Sequence, residues 1–170
     1  KTINKKLSGE GVRSIPIQNG VRFPGVEFEK PDYMAELPRP VYVSVGSLIP
    51  RKNMQLLVRA FHSIAHAERG CLVILGDGPE KPALQDEVGN DVFLMGNVDN
   101  VLNHLAFADV FVSGSLSEGL PNTVLEALSV GLPVVLSDIE SHKEIVREVP
   151  EAATLFPLAN GVGALAESMA

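Results

Sequence analysis

Short apolar runs alternate with amphipathic stretches along the chain from residue 41 onward. The runs VYVSVG, CLVILG, VFLMG, DVFVSG, LPVVLSD and ATLFP are short and rich in β-branched residues, which predicts strands. Between them, apolar positions at helical spacing predict helices over 52–68, 79–88, 98–108, 122–130, 141–149 and 161–170. Nearly continuous apolar strands that alternate with helices are typical of a parallel sheet covered on both faces. We therefore predict an α/β fold over residues 41–170, a doubly wound parallel sheet of the Rossmann-like kind.

Two of the predicted helices carry more specific expectations. In the helix over 52–68, we expect five apolar residues to share the buried face: Leu57, Ala60, Phe61, Ile64 and Ala65. In the helix over 98–108, Asp99 is a candidate for the residue that caps the amino-terminal end.

Residues 1–40 lack this alternation. The stretch IQNGV contains one short extended piece and a turn signal at Asn19-Gly20, and prolines recur between residues 24 and 40. We predict that residues 1–40 form a hinge or linker segment together with the end of a preceding domain. The chain begins without a methionine and ends inside a helical pattern, so we expect it to be part of a longer protein.

Polar residues follow the predicted strands in the stretches GSLIPRKN, GDGPE, GNVDN and SGSLSEG. The carboxyl ends of parallel strands meet at one edge of a sheet, and ligands bind at that edge. Arg51 and Lys52 are the densest positive charge near any strand end, so they are either a solvated surface pair or part of an anion site. Neither the phosphate P-loop spacing nor a complete G-x-G-x-x-G motif is present.

The stretch SEGLPNTVLEALSVGLPVVLSD, residues 117–138, reads as a loop, a helix and a buried strand. Pro121 suits a first helical position, and Gly131 suits the end of the helix. Glu118 then lies in the loop and Glu126 just over one turn into the helix, so both carboxylates can approach the amino-terminal end of the helix. That end favours anions. Either the carboxylates simply complement the helix dipole, or the amides bind a phosphate while the carboxylates hold hydroxyl groups of the same ligand.

Composition excludes several classes of protein. The net charge of −7 argues against a nucleic-acid partner, which requires a basic surface. Cys71 is the single cysteine and opens a strand, so we expect a buried thiol and no internal disulfide, which fits a reducing compartment. No apolar run approaches the roughly 20 residues of a membrane-spanning helix. His62 and His66 have helical spacing but no third candidate ligand, and no D-x-D motif is present, so no metal site is predicted.

These pieces together resemble the C-terminal domain of a glycosyltransferase of the GT-B fold, family four. The resemblance covers residues 12–158 and rests on IQNGV, VGSLIPRKN, LVILGDGPE, VFLMGNV, ADVFVSGSLSEGLPNTVLEALSVGLPVV and EIV, in this order. The two glutamates at E-x7-E spacing, Glu118 and Glu126, are its most specific element.

The resemblance implies a role for each matching position. Glu118 contacts the transferred sugar as the catalytic residue, Glu126 accepts hydrogen bonds from ribose hydroxyls, and Lys52 binds the donor diphosphate. The same phosphates are cradled by backbone amides around Gly119, Leu120, Asn122 and Thr123. Leu94 and Met95 form part of the nucleobase slot, largely through their backbone. Such enzymes retain the anomeric configuration and use no metal or other cofactor, because cations and amides stabilise the leaving diphosphate.

The sequence departs from the family pattern at two places. The family often has an arginine directly after the strand-end glycine, where this chain has Ser47, and Arg51 is the candidate replacement. The loop commonly reads E-G-F-G, whereas it reads E-G-L-P here, so Pro121 removes one N–H group that could face a phosphate.

The resemblance implies that this chain is one half of a GT-B enzyme and is inactive alone. The implied partners are a nucleotide-diphosphate sugar, an N-terminal domain of the same protein, and a glycan or lipid-linked acceptor. The implied location is cytoplasmic, for an enzyme that can be peripheral on the inner face of the membrane. Two alternatives stay open at this point: a non-catalytic accessory module that binds nucleotide sugars, and a GT-B isomerase, against which the E-x7-E element argues.

Overall fold

Six parallel strands form one sheet in the computed structural model, which describes residues 27–65 and 69–170. The strands are β1 (Val41–Val45), β2 (Cys71–Leu75), β3 (Val92–Gly96), β4 (Val110–Ser113), β5 (Val134–Ser137) and β6 (Ala153–Phe156). Their order across the sheet is β3-β2-β1-β4-β5-β6, and Val43 of β1 lies opposite Val73 of β2 and Phe111 of β4. The predicted doubly wound parallel sheet is therefore confirmed. The strand order reverses between β1 and β4, where ligands of such sheets bind.

Among the described residues, five helices connect consecutive strands, and a sixth follows β6. They are α1 (Met54–Ser63), α2 (Lys81–Glu87), α3 (Val101–Ala106), α4 (Asn122–Ser129), α5 (Glu140–Glu148) and α6 (Gly161–Met169). Three single turns of 3₁₀ helix occur at Asp32–Ala35, Pro50–Lys52 and Leu158–Asn160. The predictions for IQNGV, the Asn19-Gly20 turn and His66 fall outside the described residues.

Helix α1 is shorter than predicted. Asn53 adopts a left-handed conformation with φ of 54°, so the turn at Pro50–Lys52 cannot continue into α1 as one helix. Ile64 is extended and ends the helix, and Ala65 is exposed, so the prediction that Ala65 shares the buried face is wrong. The candidate cap Asp99 is also wrong, because Asn100 directly precedes α3 and provides no side-chain cap.

The apolar core lies on both faces of the sheet. Helices α1, α2 and α6 cover one face through Leu57, Phe61, Leu84 and Leu165. Helices α3, α4 and α5 cover the other face together with a residue of the amino-terminal segment; the contributing side chains are Met34, Leu105, Val124, Ala127 and Ile145. Strand β3 is at the sheet edge and is only partly covered.

The segment 27–40 packs against the end of the sheet opposite the strand carboxyl ends. Met34 is 1% exposed, and the Tyr33 hydroxyl and His104 Nδ1 lie 2.7 Å apart. The carboxylate of Asp109 accepts hydrogen bonds from Arg39 at 2.7 Å and from the Val41 amide at 2.6 Å. These contacts anchor the segment where β1 begins.

The end of α4 is set by Gly131, as the sequence predicts. Its φ is 79°, its amide donates to the Leu128 carbonyl at 3.0 Å, and the Leu132 amide donates to the Ala127 carbonyl at 3.0 Å. This is the Schellman arrangement, which requires a left-handed residue at this position.

We expect Gly131→Ala to lower the free energy of unfolding by about 1 kcal/mol, because a left-handed backbone is costly for alanine. An added Cβ at Gly131 would touch nothing within 4 Å, so the loss would report the backbone alone. Gly163 lies inside α6 and is equally unobstructed, so Gly163→Ala should instead raise stability by about 0.5–1 kcal/mol. Urea unfolding measures the free energy of unfolding of both variants. If the two substitutions change it in the same direction, this explanation is wrong.

Candidate functional site

Two loops meet at the carboxyl edge of the sheet, one after β1 and one after β4. They are neighbours because β1 and β4 are adjacent strands. The Leu116 amide donates to the Arg51 carbonyl at 2.8 Å, and the Asn53 side chain donates to the Gly114 carbonyl at 3.2 Å. Asn53, whose backbone is left-handed, therefore takes part in the contact that joins the two loops.

Glu118 is the centre of this contact. Lys52 Nζ donates to Glu118 Oε1 at 2.6 Å, and the Ser115 hydroxyl donates to the same oxygen at 2.8 Å. Arg51 Nη1 donates to Glu118 Oε2 at 2.8 Å and to the Ser117 carbonyl at 2.8 Å. The Glu118 side chain is only 7% exposed, and that of Lys52 is 17% exposed. The structure thus brings together three of the predicted site residues as one ionic cluster.

The cluster determines the ionisation of Glu118. Burial by itself raises the pKa of this carboxyl group, but it is outweighed by hydrogen bonds from Lys52 and Ser115, the charge of Lys52 and a hydrogen bond from Arg51. The net result is that the pKa of Glu118 lies below its ordinary value, so the group is a carboxylate at neutral pH.

Glycines let the strand ends approach closely beside this cluster. An added Cβ at Gly76 would lie 2.0 Å from the Gly46 carbonyl oxygen, so only glycine fits there. An added Cβ at Gly46 would lie 3.2 Å from Lys52 Cε, so Gly46 leaves room for the lysine stem. Gly46 therefore lets the stem of Lys52 lie over the end of β1.

Glu126 has a different environment from Glu118. It lies on α4, is half-buried, and makes no side-chain hydrogen bond or ion pair within the described part of the chain. Burial raises the pKa of Glu126 above its ordinary value. A half-buried carboxylate that lacks partners is costly in the unliganded protein and is ready to accept hydrogen bonds from a ligand.

Helix α4 begins at Asn122, where the sequence predicts its start. Pro121 directly precedes the helix and is not its first residue, so that detail of the prediction is wrong. The Asn122 amide already donates to the Leu120 carbonyl at 3.0 Å, so it must leave or share this bond to reach a phosphate. The amides of Gly119 and Leu120 make no backbone hydrogen bond within the described residues, and both residues are exposed.

The remaining predicted residues lie along the same edge of the sheet. Ser47 is exposed at the end of β1 and lines a shallow cavity with Val45, Gly76, Asn97, Val98 and Val101. Leu94 and Met95 are in β3, and Met95 is 36% exposed. Sequence reasoning did not select Asn97 or Val101, although their position after a strand end was a usable signal.

Ser115 and the buried histidine His142 were also missed as members of the site. The Ser137 hydroxyl donates to the Ser115 carbonyl at 2.7 Å, and His142 Nδ1 lies 2.9 Å from the Ser137 carbonyl oxygen. Both Ser137 and His142 are fully buried. The loop that carries Glu118 is therefore tied to β5 and α5 as well as to the loop after β1.

Other kinds of site have no support in the described ranges, 27–65 and 69–170. Within them no group of three or more His, Cys, Asp or Glu side chains could hold a metal ion. Nor does any helix there have the length and apolar character needed to cross a membrane. Burial raises the pKa of Cys71 to about 11, so this thiol is unreactive at neutral pH.

The family of the chain follows from comparison with known proteins. A family model described as "Glycosyl transferases group 1" matches residues 39–170. The chain belongs to this glycosyltransferase family. The match confirms the resemblance that the sequence motifs indicated, while the assignment to family four in particular stays a prediction.

Individual relatives of this glycosyltransferase chain agree with the family. TuaC of Bacillus subtilis, a glycosyltransferase named for teichuronic acid biosynthesis, is 37% identical over 142 residues, which are 79% of this chain and 35% of TuaC. The chain spans between 26% and 35% of the length of the first relatives that it matches.

Solved glycosyltransferases share the fold. TarM of S. aureus superposes with a TM-score of 0.78 at 21% identity, over 97% of this chain and 33% of TarM. The pneumococcal O-GlcNAc transferase GtfA, solved with UDP and GlcNAc, gives 0.73 at 19% identity, over 99% of this chain and 35% of GtfA. Because the sequence identities are this low, the structural similarity is evidence for the fold alone. It confirms the predicted GT-B type of fold.

Proposed function

We propose that this chain is the donor-binding domain of a retaining glycosyltransferase, which moves a sugar from a nucleotide-diphosphate sugar to a glycan or lipid-linked acceptor. The observation that carries the proposal is the contact of Glu118 with Lys52, Arg51 and Ser115 at the carboxyl edge of the sheet. One carboxylate and two cations meet there within hydrogen-bond distance, which suits a ligand that carries both hydroxyl and phosphate groups.

The donor diphosphate would be bound by Lys52 and Arg51, with the amides before α4 on its other side. Both cations donate to Glu118 in this structure, so a diphosphate has to share or replace those bonds. When it does, Glu118 gains free acceptor capacity for the hydroxyl groups of the transferred sugar. As the glycosidic bond breaks, negative charge grows on the leaving diphosphate, and the same cations would stabilise it.

Other contacts complete the proposed donor site. Glu126 would accept hydrogen bonds from the ribose, and the backbone at Leu94 and Met95 would face the base, with Ser47 at the end of β1. The proposal includes no resident cofactor or metal, because cationic side chains and backbone amides would stabilise the negative charge of the phosphates. Support for a nucleotide ligand comes from GtfA, which shares the fold and was solved with UDP.

The rest of the complete enzyme would supply the acceptor site. The chain spans only about a third of TuaC, so we infer that an N-terminal domain of the same protein closes over the carboxyl edge of the sheet. We place the enzyme in the cytoplasm, peripheral to the inner face of the membrane where its acceptor is lipid-linked. This chain alone should bind donors without transferring the sugar.

Nucleotide binding by the 170-residue chain tests the donor-site proposal directly. The proposed contacts to base, ribose and phosphates lie mostly in this chain, so we expect weak binding of a nucleoside diphosphate. Titration calorimetry with UDP, GDP and ADP at millimolar concentration measures it, with circular dichroism as the control for folding. Folded protein that releases no heat with any of the three nucleotides would end the proposal.

We expect Glu126→Gln to have opposite effects with and without a nucleotide. Because burial raises the pKa of Glu126, ionisation disfavours the folded state above that pKa, and the neutral amide should raise Tm at pH 7. The same change should weaken nucleotide binding by about 1–3 kcal/mol, because a charge-assisted hydrogen bond becomes neutral.

A deoxyribose nucleotide is the matched control for Glu126→Gln. It lacks one hydroxyl partner, so its affinity should be much less sensitive to the substitution. Equal losses for ribose and deoxyribose nucleotides would mean that Glu126 only complements the charge of the helix end.

A further inference from the structure

Three buried polar residues lie within or behind the loop that carries Glu118. Ser115 is 1% exposed, and Ser137 and His142 are 0% exposed. Polar groups at such depth are costly unless they are hydrogen-bonded, so their connections indicate what they do. Ser115 lies at the start of the loop after β4, Ser137 ends β5, and His142 is on α5.

The contacts of His142 fix the position of its proton. Nδ1 lies 2.9 Å from the Ser137 carbonyl oxygen, which can only accept a hydrogen bond, so Nδ1 carries the proton. Burial lowers the pKa of His142 below its ordinary value, in keeping with a neutral ring. Nε2 then carries a lone pair, and this buried atom has no hydrogen-bond partner among the described residues.

Ser137 links this histidine to the loop. Its hydroxyl donates to the Ser115 carbonyl at 2.7 Å and lies 3.2 Å from His142 Nδ1. The Ser115 hydroxyl in turn donates to Glu118 Oε1 at 2.8 Å. Ser115 therefore has a partner on each side. Its carbonyl accepts a hydrogen bond from Ser137, and its hydroxyl donates one to the Glu118 carboxylate.

We infer that His142 and Ser137 are positioning residues that aim Glu118 at the transferred sugar. The Nδ1–H group of His142 fixes Ser137, the Ser137 hydroxyl fixes the Ser115 carbonyl, and the Ser115 hydroxyl orients Glu118. The inference rests on the proposed function of Glu118. A residue with only a packing role would be better served by an apolar side chain, which would leave no unpaired Nε2 in the interior.

Two amide substitutions distinguish the roles of the two ring nitrogens of His142. The amide nitrogen of His142→Asn can occupy the place of Nδ1, whereas that of His142→Gln reaches the place of Nε2. If Nδ1–H is the functional group, His142→Gln and His142→Leu should lower kcat on the order of tenfold to a hundredfold, since small misplacements at a site are costly. His142→Asn should keep most of kcat, and Kd for UDP should be nearly unchanged in all three.

The rates are measured on the complete protein with water as the acceptor. The probe is whichever of UDP-glucose, UDP-galactose, UDP-N-acetylglucosamine and GDP-mannose the unaltered protein cleaves fastest. His104→Leu is the matched control, because it removes a buried histidine near the opposite edge of the sheet and should lower Tm without lowering kcat. A second readout needs no donor: ¹⁵N NMR should show His142 protonated at Nδ1 and unprotonated at Nε2.

Coupling to Glu118 distinguishes this inference from the proposed function. In a Glu118→Gln background, His142→Leu should cause no further loss of kcat, because the group that it positions is already disabled. If Glu118→Gln alone keeps a normal kcat, the proposed function fails. If Glu118→Gln is inactive but His142→Leu keeps a normal kcat, only the positioning role fails. Retention of kcat by His142→Gln but not by His142→Asn, or a protonated Nε2, would also overturn the inference.

Discussion

Glu118→Gln in the complete protein should lower kcat on the order of 10²-fold or more, while the affinity for UDP stays the same or rises. An interaction that matters mainly as the glycosidic bond breaks affects kcat and leaves the binding of the product nucleotide intact. Glutamine keeps the shape of the side chain, so the loss would report the negative charge rather than a cavity.

The expected rise in UDP affinity follows from the ionic cluster. Glu118 is the partner of both Lys52 and Arg51, and a neutral amide would leave their charges for the diphosphate. The carboxylate would also no longer repel that anion. Because Arg51 is substantially exposed, the gain should shrink as NaCl is added. Titration calorimetry at two salt concentrations, beside steady-state kinetics, measures both effects.

Glu140→Gln is the matched control for Glu118→Gln. Glu140 also pairs with a lysine, Lys143, but it is 75% exposed on α5, so neither kcat nor UDP binding should change. A near-normal kcat for Glu118→Gln would make Glu118 a simple charge complement of the helix end and would overturn its assignment to the transferred sugar.

The alternation of apolar runs predicted most of the fold because strand and helix periods are local properties. All six strands appear at the predicted places, and Gly131 ends α4 as expected. The errors lie at element boundaries. The start of α1 depends on Asn53, whose left-handed conformation serves a contact with the loop after β4, and no local pattern reveals such a contact.

The sequence predicted individual residues of the site better than it predicted the contacts between them. The motifs identified Lys52 and Glu118 separately, but their contact depends on β1 and β4 being adjacent in the sheet. His142 gave no distinct signal, because a histidine on an amphipathic helix is ordinarily a surface residue. Its importance depends on complete burial and on bonds to Ser137, which only the three-dimensional arrangement provides.

Lys52→Ala should weaken UDP binding and lower kcat together. The diphosphate is present in both the ground state and the transition state, so the loss of its cation affects both. One hydrogen bond to a charged group is worth about 1.5–3 kcal/mol, which corresponds to an affinity roughly tenfold to a hundredfold lower. Glu118→Gln should have the opposite effect on UDP binding, so the pair of variants tests whether the two residues compete.

The pH dependence of Lys52→Ala provides a second, independent readout. In the unaltered protein the pKa of Glu118 is below its ordinary value, so its carboxylate is present at neutral pH and is lost only as pH falls through that low pKa. Without Lys52, only the hydrogen bonds from Ser115 and Arg51 counteract the effect of burial on Glu118, so the pKa of Glu118 should rise. The acidic limb of kcat/KM should therefore move to higher pH in the variant.

Lys81→Ala is the matched control for Lys52→Ala, because Lys81 also pairs with a carboxylate, Asp77, near the end of a strand. It should leave UDP affinity and the pH profile unchanged, since Lys81 pairs with Asp77 and with none of the residues proposed to bind the phosphates or to hold Glu118. If Lys52→Ala moves the acidic limb but leaves UDP affinity intact, then Lys52 serves only to keep Glu118 ionised. The cation for the diphosphate would then be Arg51, and the exchange of partners proposed for donor binding would be wrong.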